Sequence, residues 1–399
     1  MTGGGTSVWE AWVDDACTQV ATAGRWRAPR SFDARGHDGL LMDDPPGPAR
    51  TVVSFASNDY LGLSTHPAVV EGAREALERW GAGSGASRLI TGSRPVHHQL
   101  EEALAAWKGT EAAVVLPTGF AANLSVLSVF AADRTVVHSD ERNHASIIDG
   151  CRLARADVRI YPHGDLDRLD ASLAEVAGRS IIVSDTVFSM DGDQCDLPGL
   201  VEIAGRHGAL LVLDEAHAVL GTHLDPTAVD VLQVGTLSKT LGSLGGFIAG
   251  PRRFVDLLVN RGRPYIFTTA PSPADAGAAL AALKVLRSDE GVELRARLAR
   301  LVARVAGAVG AEGHASPIVP VILGGEAEAV AASAKLLEQG LWVPAIRPPT
   351  VAPGTSRLRI TLSATHTDEQ VDRLMAGLAG LVAEPGVHRA DRQGTDSAA

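Results

Sequence analysis

Lys239 lies in a run of small residues, Gly235-Thr-Leu-Ser-Lys-Thr-Leu-Gly-Ser-Leu-Gly-Gly246, that follows an apolar stretch. An amine there can approach a planar ligand with no bulky neighbour in the way. In a tight, partly dry pocket such a lysine can lose its proton and condense with an aldehyde. Arginine cannot replace it, because guanidinium stays protonated. The chain has four lysines, and the other three, Lys108, Lys284 and Lys335, fall in or at the end of Ala/Leu-rich segments with helical periodicity. A surface lysine in a flexible loop has the same local sequence, so this residue does not decide alone.

A second group is Ala209-Leu-Leu-Val-Leu-Asp214-Glu-Ala-His217, an apolar run ending in a carboxylate. A buried acid there can keep a ring nitrogen protonated, raising its pKa by about one to three units at about 1.4 kcal/mol each. His217, three residues on, can reach the same ligand; the plainer reading is an acid solvating a turn. The four letters also match the helicase Asp-Glu-Ala-His box, but no lysine follows a glycine, so the phosphate loop such enzymes need is absent.

Pro117-Thr-Gly-Phe-Ala-Ala-Asn123 ends another apolar run and opens a helix, so the N–H groups of Gly119 and Phe120 would face an anion. Gly81-Ala-Gly-Ser-Gly-Ala86 fits a dinucleotide fingerprint but follows a helix at 67–80 rather than a strand. It reads instead as a pliable wall of the site. His144 in Asn143-His-Ala-Ser-Ile and Ser189 in Val187-Phe-Ser-Met-Asp-Gly-Asp193 each follow a strand candidate. Each feature alone has a structural reading, but six of them, Gly119/Phe120, His144, Ser189, Asp214, His217 and Lys239, fall just after successive strands.

The elements that must position these groups alternate. Strand candidates are 52–56, 113–116, 135–137, 158–161, 181–184, 209–213, 231–235 and 246–249, separated by Ala-rich helices. That order implies an α/β fold with a mostly parallel central sheet sandwiched by helices, whose ligands bind beyond the carboxyl ends of the strands. Residues 1–50 read as an N-terminal segment, with a helix near 8–23 and a connection through Pro45, Pro46 and Pro48. Residues 51–285 read as the large ligand-binding domain, closed by a helix at 272–287. Residues 286–385 read as a smaller C-terminal α+β domain with strands near 318–322, 342–346 and 358–362. Residues 386–399 read as a disordered tail.

Composition narrows the function. The net charge of −11 argues against a nucleic-acid partner. Cys17, Cys151 and Cys195 form no CxxC pair, so no zinc site follows, and a reducing cytoplasm is the simpler home. No H-E-x-x-H or other metal cluster occurs. The N-terminus lacks a signal-peptide pattern, and Pro117, Thr118, Gly119 and Asn123 interrupt the most apolar stretch, 112–132, so no membrane span is expected.

Together these motifs resemble the fold-type-I pyridoxal-phosphate enzymes, and within them the α-oxoamine synthases, over about residues 20–382. The matching stretches are Ser57-Asn-Asp-Tyr-Leu-Gly-Leu63, Gly81-Ala-Gly-Ser-Gly85, Thr118-Gly-Phe120, Asn143-His-Ala-Ser146, Val187-Phe-Ser-Met-Asp-Gly192 and Asp214-Glu-Ala-His217. Thr236-Leu-Ser-Lys239, Phe267-Thr-Thr269 and Arg357-Leu-Arg359 complete the set. Ala345-Ile-Arg-Pro-Pro-Thr-Val351 further resembles the biotin-pathway branch of that family.

The resemblance implies a fold-type-I transferase with pyridoxal 5'-phosphate bound to Lys239 and its pyridine nitrogen paired with Asp214. It implies that His144 stacks on the ring, that Ser189 and His217 hold its phenolic oxygen, and that Gly119, Phe120, Thr236 and Ser238 surround the phosphate. Thr268 would come from the neighbouring subunit of a homodimer whose active site is shared. Asn58 and Arg359 match positions that hold the amino-acid carboxylate. An N-terminal arginine should meet the acyl substrate, with Arg25, Arg27 and Arg30 as candidates. The expected reaction is decarboxylative condensation of L-alanine with pimeloyl-CoA or a pimeloyl acyl carrier protein to 8-amino-7-oxononanoate. A sister reaction using glycine or serine with another acyl thioester is the alternative.

Overall fold

The computed structural model describes residues 7–42, 49–132, 134–220, 224 and 229–382. A seven-stranded sheet runs in the order Ala112–Leu116, Gly246–Gly250, Val231–Thr236, Leu210–Asp214, Ser180–Asp185, Val136–Asp140, Asp157–Tyr161. Neighbours from Val231–Thr236 outward are parallel, while Gly246–Gly250 is antiparallel to both strands beside it. The mostly parallel sheet expected from the strand–helix alternation is therefore present.

Helices cover both faces, and alternate residues of one strand feed different cores. Ile181, Val183 and Val212 pack with Val126 and Ile147 from the helices Gly119–Phe130 and Ala145–Ala154. Ile182, Leu211 and Leu213 pack the opposite way, with Leu169 and Leu200 from Leu166–Ala174 and Leu197–His207. Burial on both faces explains why these strands read as unbroken apolar runs.

The C-terminal part holds a three-stranded antiparallel sheet, Ile318–Gly324, Ser356–Thr361 and Ala345–Ile346. With the helices Asp289–Ala308, Glu326–Glu338 and Asp368–Val382 it forms the expected smaller α+β unit. The long helix expected at 272–287 is Pro273–Leu286.

Three expectations need correction. The first concerns the strand expected at 52–56 as part of the central alternation. It is Arg50–Ser54 and lies in a separate four-stranded sheet with Ser31–Ala34, Asp38–Met42 and Leu341–Trp342. Secondly, the stretch between the N-terminal helix Val8–Thr22 and Arg50 is therefore not a plain connection but contains a hairpin. The prolines at 45, 46 and 48 lie outside the described residues, as does the segment 386–399. Thirdly, the single strand expected at 342–346 is two. Leu341–Trp342 pairs in parallel with Val53–Ser54, and Ala345–Ile346 pairs with Arg357–Leu358. Pro344 lies between them and has no N–H to continue a ladder. Among the described residues no helix is long and apolar enough to cross a membrane.

Candidate active site

Five of the central strands deliver functional groups at their carboxyl ends. After Ala112–Leu116, Thr118 caps the next helix by accepting the Ala121 N–H at 3.0 Å. The N–H groups of Gly119 and Phe120 precede the first intrahelical bond and point out of the helix end. After Val136–Asp140, His144 is itself the N-cap of Ala145–Ala154. Ser180–Asp185 leads to Ser189, Leu210–Asp214 to His217, and Val231–Thr236 to Ser238 and Lys239.

These ends enclose a cavity of about 190 Å³ lined by Gly119, Phe120, His144, Ser189, Asp214, His217, Thr236, Ser238 and Lys239. A larger cavity of about 620 Å³ alongside shares Ala216 and Thr236 but contains neither Lys239 nor Asp214, so the smaller one is where the reactive groups meet.

Lys239 does not turn into solvent. Its Nζ lies 2.8 Å from His217 Nε2, and His217 Nδ1 is hydrogen bonded to the Tyr60 hydroxyl. Burial pushes the Lys239 amine below its ordinary value of 10.5, partly offset by the charges of Asp214 and Asp185. Burial, then the charge of Lys239, holds His217 well below 6.5. A neutral imidazole next to a readily deprotonated amine is the state nucleophilic chemistry needs.

Asp214 is buried, and each of its oxygens accepts one bond. Oδ2 receives Asn123 Nδ2 at 2.6 Å, and Oδ1 receives the Ala216 N–H at 2.9 Å. A lone pair is left on each oxygen for a ligand N–H. Beside it, Asp185 accepts the His144 N–H at 3.1 Å, and Asn143 Oδ1 receives the Asp185 N–H at 2.9 Å. Burial, then the charge of Asp214, raises Asp185 well above the carboxylate range.

Asn58 and Arg359 do not line the cavity themselves, but Arg359 is buried against Ser189, which does. Arg359 Nη2 donates to Asn58 Oδ1 at 3.2 Å, Nη1 to Thr361 Oγ1 at 2.9 Å, and Nε to the Ser189 carbonyl at 2.6 Å. Its side chain is also hydrogen bonded to Tyr60, so the planar guanidinium is held in one orientation by its neighbours. Arg357, two residues earlier, pairs with Asp191, so adjacent arginines clasp the loop that carries Ser189.

The other anticipated residues lie apart. Thr268 is exposed, and neither it nor the segment 81–86 lines this cavity. Arg25 and Arg27 border a separate cavity of about 180 Å³ with Arg347 and Ala345–Ile346; Arg30 does not. Sequence reasoning missed Tyr60, Asn123, Ser146 and Asp185 as individual participants. The first three lie inside motifs it quotes, and Asp185 ends a strand as Asp214 does.

The family model for aminotransferase class I and II matches residues 50–378. The chain belongs to that family. It is 46% identical to the 8-amino-7-oxononanoate synthase of Anaeromyxobacter dehalogenans over 88% of this chain and 94% of that one. Identity to the same enzyme of Geobacter sulfurreducens is also 46%, over 85% and 90%. Among solved structures, serine palmitoyltransferase from Sphingomonas wittichii superposes with a TM-score of 0.84 at 29% identity, covering 95% of this chain and 98% of that one. A structure of SPT with the PLP internal aldimine gives 0.83 at 27%, covering 94% and 97%. The 8-amino-7-oxononanoate synthase of Francisella tularensis gives 0.70 at 27%, covering 83% and 98%. The resemblance to the α-oxoamine synthases read from the motifs is borne out by these relatives, and the chain is an enzyme.

Proposed function

We propose that this chain binds pyridoxal 5'-phosphate and condenses L-alanine with a pimeloyl thioester, with loss of CO₂, to give 8-amino-7-oxononanoate. The observation that carries the chemistry is Lys239 Nζ held by His217 inside a cavity that also contains Asp214.

The residues fit that cofactor. A helix N-terminus with the hydroxyls of Thr236 and Ser238 suits a phosphate; those hydroxyls lie 2.7 Å apart. A Cβ on Gly119 would meet the Thr236 side chain at 3.3 Å, so the approach of these two segments tolerates little beyond hydrogen. Asp214 suits a pyridine nitrogen, and Ser189 with His217 suits a phenolic oxygen.

Bound pyridoxal phosphate supplies an aldehyde for the amino group and a cationic ring that takes up the electron pair left at Cα. Asp214 would keep the ring nitrogen protonated, and His144 would pack against the ring. Asn58 and Arg359 grip the amino-acid carboxylate and orient the Cα–H bond for cleavage. Lys239 Nζ would hold the cofactor's aldehyde at rest and would be the base placed to accept the Cα proton once the amino acid is bound. The acyl thiol would leave as the new carbon–carbon bond forms, CO₂ would then be lost, and a proton would return to Cα, with Lys239 Nζ the group at hand to give it.

For the acyl partner, Arg25, Arg27 and Arg347 around one small cavity suit the far carboxylate of a pimeloyl chain. The biotin-pathway stretch 345–351 supplies part of that wall. We infer a homodimer from Thr268, exposed beside Phe267, which is 70% exposed. Free Cys17, Cys151 and Cys195 suit a reducing cytoplasm.

A second reading, a serine- or glycine-using sister enzyme, is favoured by the likeness to serine palmitoyltransferase structures. Mass spectrometry of products from alanine, glycine and serine with a set of acyl thioesters separates the two. Only the alanine–pimeloyl product is expected in quantity. Lys239→Ala should abolish turnover and the imine absorbance; undiminished turnover would overturn the lysine assignment.

A further inference from the structure

A chain of hydrogen bonds joins Asp214 to His144 through two residues with no role in the reaction above. Asn123 Nδ2 donates to Asp214 Oδ2 at 2.6 Å and to Ser146 Oγ at 2.9 Å. The amide cannot be turned over, since its oxygen would then oppose the Asp214 carboxylate. An amide nitrogen accepts nothing, so Ser146 Oγ is the acceptor in that bond and its own proton points elsewhere. Ser146 Oγ lies 2.7 Å from His144 Nδ1, and the Ser146 N–H is aimed at the same nitrogen at 3.3 Å. Two donors therefore converge on His144 Nδ1, and the same nitrogen caps the helix Ala145–Ala154. A proton on that nitrogen would point at both.

We propose that Asn123 and Ser146 are positioning residues that lock His144 as the neutral tautomer protonated at Nε2, so that it serves the site as a hydrogen-bond donor and takes up no proton. This rests on the function proposed above only for what His144 donates to, which is an oxygen of the amino-acid carboxylate or of the carbonyl formed in the condensation. Burial lowers the His144 pKa, the nearby Asp214 charge opposes that, and Lys239 adds to it, in keeping with a neutral ring. The bond from Asn123 also ties the acid that would face the pyridine nitrogen to the ring that would stack above it. The tautomer and the orientation of Asp214 are thus set together, before any ligand enters.

The test is ¹⁵N NMR of the ligand-free chain with labelled histidine, the His144 signals being identified by their loss in His144→Phe. The expected pattern is a protonated Nε2 and a bare Nδ1 across neutral pH. Ser146→Ala should give mixed tautomers and lower kcat by about ten-fold, the scale of one lost hydrogen bond. Ser146→Thr should restore both. A protonated Nδ1 in the unsubstituted chain, or an unchanged tautomer in Ser146→Ala, would overturn the proposal. The unsubstituted spectrum decides even if a variant fails to fold. Because it needs no substrate, it stands apart from product analysis: a correct tautomer with no alanine-derived product would sink the reaction and leave the lock in place.

Discussion

Asp185 and Asp214 are register partners at the ends of adjacent parallel strands, both buried, with Lys239 the amine that offsets their charge. Both line the cavity, but Asp214 is furnished with two donors. Asp185 has a single backbone donor to its side chain among the hydrogen bonds seen, and burial beside another acid favours its neutral form.

That asymmetry sets a pH dependence. An acid whose folded pKa is raised binds its proton more tightly in the folded chain, so stability falls as pH climbs from its ordinary value of 3.8 toward the raised one. Asp185→Asn should flatten this fall and leave the ligand-free protein at least as stable at neutral pH. Tm measured between about pH 4 and 8 checks it, and parallel curves would show that Asp185 does not carry the effect.

His163 bridges two elements of the site. Its Nδ1 meets Asp140 at 3.0 Å and its Nε2 meets Asp193 at 2.5 Å, fastening the Ser189 loop to a neighbouring strand end. Burial alone would lower its pKa, but the two carboxylates outweigh that and push it up to about 9. The resulting stability is full below the ordinary value of 6.5 and is lost as pH rises through about 9. His163→Gln should cost roughly 1–2 kcal/mol at pH 6, and less above pH 9. Denaturant midpoints at the two pH values measure the difference.

Gly246 begins the reversed strand against the helix start. A Cβ there would lie 2.3 Å from the Thr118 carbonyl oxygen and 2.5 Å from the Gly119 nitrogen, both backbone atoms. Gly246→Ala should cost about 2–3 kcal/mol and weaken cofactor retention, because the segment displaced is the proposed phosphate cradle. Thermal unfolding and equilibrium dialysis against pyridoxal phosphate read the two effects.

Arg359 should act mainly on the amino acid. Arg359→Lys keeps the charge but loses the fork and the bonds to Asn58 and Ser189. KM for alanine should rise about ten- to a hundred-fold, with KM for the acyl donor nearly unchanged. Equal changes in both constants would point to a collapsed site instead.

The reactive residues are legible in sequence because each follows an apolar run that has to be a buried strand. Lys239, Asp214, His217, His144 and Ser189 thus announce their edge of the sheet. Asn123 gives no such signal: it lies one turn inside a helix that reads as plain apolar packing, and only the fold brings it against Asp214. Asp185 has the same strand-end position as Asp214 but no histidine three residues later to mark it. The hairpin of Ser31–Ala34 and Asp38–Met42 is mostly exposed, so its residues lack the burial pattern that betrays a strand. The break at Pro344 is readable in retrospect, yet the partner of the first fragment, Leu341–Trp342, lies nearly three hundred residues away at Val53–Ser54.

Strand Arg50–Ser54 waits for Leu341–Trp342, just as Asn58 waits for Arg359. A polypeptide emerging from the ribosome will have made Lys239, Asp214 and their neighbours long before Arg359, the arginine proposed to grip the incoming amino acid. During synthesis the electrophile-binding half can therefore assemble early, while selective uptake of an amino acid has to await near-complete translation.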